Sequence, residues 1–213
     1  MINILCYGDS NTWGYQSCTG LRFEYGVRWP GVLQKMLGEG YHVYENGMNA
    51  RTTAFDDNIE PYRNGVKQII PALIVTEPLD IIIFMLGTND TKHYLGLNGY
   101  IIGSGMDLLL QTTKGYFKSQ DKPVPKILVV SPIDLSKDIE EKPASREFDR
   151  ESVKKIPELR KWYKFYAEKE NCEYMDAGEF AKPYELDGVH MTADGHACLA
   201  RAIYSKIKEM LEE

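Results

Sequence analysis

The chain has 213 residues, 43% of them hydrophobic and 26% charged, a composition that supports a packed core and argues against a disordered chain. With 25 basic against 31 acidic side chains the formal charge is −6, and no Lys/Arg run forms a stripe, so a nucleic-acid partner is not expected. No apolar run reaches the roughly 18 residues of a membrane span, and MINILCYGDS carries no basic leader, so the chain reads as one cytoplasmic domain, 1–213, with no membrane partner.

The first predicted element is a strand over residues 2–7, which ends at Gly8-Asp9-Ser10-Asn11. A second strand covers 42–45. The third, 79–86, includes the continuously apolar DIIIFML and ends at Gly87-Thr88-Asn89-Asp90. A fourth covers 126–131 and a fifth 172–175. Segments with helical spacing separate these runs, and strand alternating with helix calls for a parallel sheet covered on both faces. Residues 131–150 have two Pro and no clear period, so they predict a long loop of the kind that borders sites, ahead of a helix around VKKIPELRKWYKFYAEK. The chain closes with a helix: Leu199, Ile203, Ile207 and Leu211 recur on one face, behind a Thr192 cap and a first-turn Asp194. Cys6, Cys18, Cys172 and Cys198 show no C-x-x-C spacing and read as structural thiols, with neither a zinc site nor a disulfide framework expected.

In an open parallel sheet ligands bind outside the carboxyl ends of the strands. The turns at 8–11 and 87–90 therefore emerge on one edge, with Gly8 and Gly87 allowing close backbone approach. Taken alone, each turn is also an ordinary helix-capping sequence. A third stretch, ELDGVHMTADGH, places Asp187 three residues before His190, close enough for a carboxylate to fix the imidazole tautomer. Ser10 is the candidate nucleophile, His190 its base and Asp187 the orienting acid. The Ser10 N–H and the Asn89 amide are candidate oxyanion donors.

YGDSNTWG, NGMNARTT, LGTNDTK and DGVH, in this order, resemble the four blocks of the SGNH (GDSL) hydrolase superfamily, and are most similar to its small bacterial arylesterase and acyltransferase branch. The resemblance implies a three-layer α/β/α, flavodoxin-like fold with a five-stranded parallel sheet. It also implies a serine esterase or acyltransferase acting on small acetyl or aryl esters, without cofactor or metal. Ser10, Asp187 and His190 would form the triad. Ser10, Ala50 and Asn89 would supply the oxyanion hole, with Gly47 as the alternative backbone donor to Ala50. Such proteins often form homo-oligomers, and one is expected here.

Trp13 and Asn11 are expected to touch substrate, as is Tyr15, whereas Trp29 reads equally as core. Asp9 and Asp90 read as braces for their turns, and Arg51 as the partner of a carboxylate that holds the second block. His196 is a weaker candidate for the base, His93 a surface or supporting residue, and His42 needs no role. The set Asp9, Asp187 and His190 has no spacing that demands a metal. Two rival readings are a carbohydrate O-deacetylase using the same mechanism and a flavodoxin-like protein binding phosphate or nucleotide. Neither G-x-G-x-x-G nor G-x-x-x-x-G-K-[ST] is present to support the second.

Overall fold

The computed structural model describes residues 1–212. Its strands are β1 (Ile2–Gly8), β2 (Tyr15–Gln16), β3 (Leu21–Arg22), β4 (Tyr41–Gly47), β5 (Ile81–Met85), β6 (Lys126–Ser131) and β7 (Glu173–Asp176). The α-helices are α1 (Ser10–Trp13), α2 (Trp29–Leu37), α3 (Gly65–Thr76), α4 (Gly99–Ser119), α5 (Arg150–Lys169) and α6 (Ala193–Glu212). Five strands form a parallel sheet in the order β4-β1-β5-β6-β7, which is the flavodoxin-like order. β2 and β3 form a separate antiparallel hairpin that the sequence reading left out, because two-residue strands carry no period.

Successive side chains of a strand point to opposite faces, and both faces here are apolar. Leu5, Tyr7, Ile82, Phe84 and Val129 pack against Ile69 and Leu73 of α3, Ile102 and Met106 of α4, and Ile156, Leu159 and Tyr163 of α5. Ile4, Cys6, Ile81, Ile83 and Val130 pack against Trp29 and Leu33 of α2 and Leu199, Ile203 and Ile207 of α6. The result is the expected α/β/α three-layer arrangement. Strand bounds shift by one or two residues: β4 extends to Gly47, and β7 begins at Glu173. Thr192 caps α6 through its hydroxyl, which accepts from the Gly195 N–H at 3.1 Å. Residues 131–150 contain two short 3-10 turns, Ile139–Glu141 and Pro143–Arg146.

Strand order reverses between β1 and β5, each of which pairs with the other and continues outward in opposite directions. Ser10 follows β1 and Asn89 follows β5, so both leave the sheet at this switch point. Among the described residues no helix is long and apolar enough to cross a membrane.

Candidate active site

The chain leaves β1 through Gly8, where an added Cβ would lie 2.0 Å from Thr12 Oγ1 and 2.8 Å from Met85 O. That lack of space lets α1 start directly above the strand. Asp9 caps α1, accepting from the Asn11 N–H at 2.9 Å. On the neighbouring strand Gly87 has φ +118°, and a Cβ there would meet the Tyr163 hydroxyl. The next turn puts Asn89 beside the end of β1, with its amide donating to Arg51 O at 3.1 Å.

The loop before α6 supplies the third part. Asp187 Oδ1 accepts from the N–H groups of Val189 and His190 at 2.9 and 3.0 Å, so the carboxylate builds its own turn. Its Oδ2 lies 2.7 Å from His190 Nδ1, and His190 Nε2 lies 2.9 Å from Ser10 Oγ. Burial pushes the Asp187 carboxyl up, but the His190 hydrogen bond and charge and the two N–H donors outweigh it and bring it down to about 2. An ionised carboxylate at this distance favours the imidazole tautomer protonated on Nδ1, with Nε2 as the acceptor facing Ser10 Oγ. The Tyr15 ring packs on the imidazole with centroids 4.4 Å apart.

Ser10, Asn89, Asp187 and His190 lie on one open cavity of about 540 Å³, together with Tyr15, Ala50 and several charged side chains. Ala50 has φ 61°, a left-handed conformation that a non-glycine residue adopts at a cost. The Met48 N–H bonds Gly8 O, so this second block is fastened to the end of β1. Gly47, the alternative donor, sits under α1, where a Cβ would lie 2.1 Å from Trp13 N; it does not line the cavity.

Three expectations need correction, for Asn11, Trp13 and Arg51, and the open reading of Trp29 resolves to core. Asn11 faces away from the cavity: its side chain donates to Val189 O at 3.2 Å and accepts from the Met191 N–H at 3.0 Å, tying α1 to the His190 loop. Trp13 is also off the cavity wall; it lies beside Tyr15, with Arg22 over its ring. Trp29 is fully buried in the core. Arg51 holds the second block, but through the carbonyls of Gly8 and Asn46 and the Asn46 side chain rather than through a carboxylate, and it lies 4.0 Å above the Tyr7 ring. The carbonyls win because C=O groups at the carboxyl end of a strand point out of the sheet, and each has a second lone pair to accept with.

His196 is fully buried, and its Nδ1 accepts from the Trp29 N–H at 3.3 Å, so it is not placed to act on Ser10. His93 and His42 are exposed and off the cavity. Asp9 and Asp90 are both buried, and burial pushes each carboxyl up to about 6. Asp90 accepts from the Thr53 N–H and hydroxyl, so it braces the Asn89 turn as Asp9 braces that of Ser10. Among the described residues no group of three or more His, Cys, Asp and Glu is placed to hold a metal ion. The sequence reading missed Lys92, Glu60, Arg63 and Glu147, all on the cavity; only their charge sets them apart in sequence, and surface residues share that.

The family model for GDSL-like lipases and acylhydrolases matches residues 6–198. The chain belongs to the GDSL-like lipase/acylhydrolase family. Two solved structures of this SGNH superfamily resemble it over nearly all of both chains. A carbohydrate acetylesterase from Sinorhizobium meliloti is 35% identical with a TM-score of 0.89, covering 99% of this chain and 100% of that one. An aryl esterase from M. smegmatis is 34% identical with a TM-score of 0.90, covering 98% and 99%. An acetylxylan esterase from Xylanibacter ruminicola is 35% identical over 91 residues, 43% of this chain but only 17% of that protein. The GDSL-family chain is accordingly a carboxylic ester hydrolase.

Proposed function

We propose that the chain cleaves small acetyl or aryl esters through an acyl-enzyme, with Ser10 as nucleophile, His190 as general base and then acid, and Asp187 holding the His190 tautomer. The observation that carries this is the relay from Asp187 Oδ2 to His190 and on to Ser10 Oγ, at 2.7 and 2.9 Å, opening on a single cavity. His190 takes the Ser10 proton as Oγ attacks the ester carbonyl. It returns that proton to the leaving alcohol, and water then repeats the attack on the acyl-enzyme. The N–H groups of Ser10 and Ala50 and the Asn89 amide receive the oxyanion. An alcohol in place of water gives acyl transfer by the same steps. Neither cofactor nor metal has a part in these steps.

A carbohydrate O-acetyl ester is a second reading of the same chemistry. It is favoured by the hydrogen-bonding side chains of Asn49, Glu60 and Arg63 on the cavity, which suit a hydroxyl-rich leaving group, and by the carbohydrate acetylesterase neighbour. All four cysteines are free, which suits the cytoplasm. The exposed Tyr100, Ile101 and Leu108 of α4 and Phe165 of α5 support a homo-oligomer.

A fluorophosphonate should add one label per chain to the unaltered protein and none to Ser10→Ala. The variant should lose p-nitrophenyl acetate hydrolysis by about four orders of magnitude or more while keeping its circular dichroism spectrum. Ordinary turnover by the folded variant removes the proposed mechanism.

A further inference from the structure

The Asn89 turn runs on into Lys92, whose side chain is 1% exposed yet lies on the cavity. A buried ammonium requires partners, and this one finds them on two other segments. Asp57 Oδ2 is 3.6 Å away and buried, while Glu147 Oε2 is 2.6 Å away on a side chain 44% exposed. Burial works against the Lys92 charge, but the Glu147 bond and charge more than offset it and raise the amine above its ordinary range.

The two carboxylates are not equivalent. Asp57 is fully engaged: it accepts from the N–H groups of Ile59 and Glu60 and from the Tyr94 hydroxyl, fixing the turn that presents Glu60 and Arg63 to the cavity. Glu147 sits near the end of a strap, residues 132–149, that crosses from one side of the site to the other. The Ser136 N–H bonds Gly188 O in the His190 loop, and the His93 N–H bonds Glu147 O beside the Asn89 turn, both at 2.9 Å. Between these ties Pro143 and Ala144 form part of the cavity wall, with Phe148 just beyond. Of the ties between the strap and the Asn89 turn, the half-exposed Glu147 carboxylate is the charged one, which water and salt can replace.

We infer that Lys92 is a positioning residue, and that its ion pair with Glu147 holds the strap against the Asn89 turn and thereby limits the size of ester the cavity admits. This rests on the reading that the ester is cleaved in this cavity. The pair acts on the wall and leaves Ser10, His190 and Asn89 in place, so releasing it changes which ester fits rather than how fast a fitting ester reacts.

The test compares p-nitrophenyl butyrate with p-nitrophenyl acetate. Glu147→Gln keeps the shape of a half-exposed side chain and removes its charge. It should raise the butyrate-to-acetate ratio of kcat/KM by about twofold to fivefold, the scale of an ion pair with one half-exposed partner, while kcat for acetate stays within about twofold. Raising KCl to about 0.5 M should move the ratio of the unaltered protein in the same direction and leave that of Glu147→Gln unmoved. A strap held only by packing has no such salt response. An unchanged ratio in the folded variant, or a salt response that persists in it, overturns the inference. Should the variant not fold, a ratio in the unaltered protein that ignores salt does the same. Residual activity in Ser10→Ala defeats the esterase reading itself, whereas its loss with an unmoved Glu147→Gln defeats only the strap.

Discussion

Ser10 and Asn89 stand on the ends of adjacent central strands, over side chains with no exposure to solvent, whereas Glu60, Arg63, Ala144 and Glu147 are carried by segments with no strand beneath them. On the first side position is set by the sheet register and by glycines whose Cβ would collide with fixed atoms. On the second it is set by ion pairs, several of them partly exposed. Packed cores deform at high cost, and exposed pairs contribute little and yield to salt. On the mechanism proposed above, chemistry that tolerates little displacement is thus placed where the fold is rigid, and fit to the substrate where it can change.

The comparison breaks first if changes to the residues around Ser10 prove mild. Asp187 accepts on both oxygens: two backbone N–H groups on Oδ1 and the imidazole on Oδ2. An Asn has only one oxygen, so in either orientation its NH₂ faces a donor. If it faces the ring it favours the tautomer protonated on Nε2, which cannot take the Ser10 proton. Asp187→Asn should therefore lower kcat by about three to four orders of magnitude with little change in KM, read from initial rates on p-nitrophenyl acetate. A loss below tenfold would show that His190 finds its tautomer without the carboxylate. Asn89→Ala ranks next. On the mechanism proposed above it removes a donor to an oxygen that gains charge only in the transition state, so kcat should fall by about 100- to 1,000-fold, or about 2.7–4 kcal/mol, with KM almost unmoved. A change confined to KM would place Asn89 among the wall residues.

The same division explains what could be read from the sequence. The buried strands announced themselves as continuous apolar runs, and Ser10, Asn89, Asp187 and His190 through small polar residues placed at strand ends or just before a helix. Asn11 and Trp13 adjoin Ser10 in sequence yet lie off the cavity wall, because closeness in sequence is not closeness to the cavity. Consecutive residues on a helical turn point about 100° apart, so Ser10 faces the cavity while Asn11 faces the His190 loop. Arg51 was rightly given to the second block, but its carbonyl partners could not be seen, since backbone acceptors have no letter of their own. The Lys92 contacts with Asp57 and Glu147 join three segments far apart in the chain, and no local pattern marks a lysine that tertiary structure will bury.

A smaller effect sharpens the contrast by giving the packed side a pH signature of its own. His196 lies on the first turn of α6, shortly after His190, and is sealed between α6 and α2 with its Nδ1 bonded to the Trp29 N–H. Burial, helped by nearby His190 and Arg28, brings its imidazole down to about 4 from an ordinary 6.5. Between those two values the unfolded chain binds the proton and the folded chain does not. Stability from this group is therefore fully present above pH 6.5 and is lost progressively as pH falls toward 4, since stability declines wherever the unfolded state binds more protons. Two pH units within that window correspond to about 2–3 kcal/mol. His196→Gln cannot titrate. Urea unfolding at pH 7 and pH 4.5 should show the unaltered protein losing about 2–3 kcal/mol more than the variant does over the same interval, whatever other groups contribute to both. If His196→Gln kept the full pH dependence, the buried imidazole would not be the source of it, and the packed side would have no titrating weakness to set against the salt-sensitive loops.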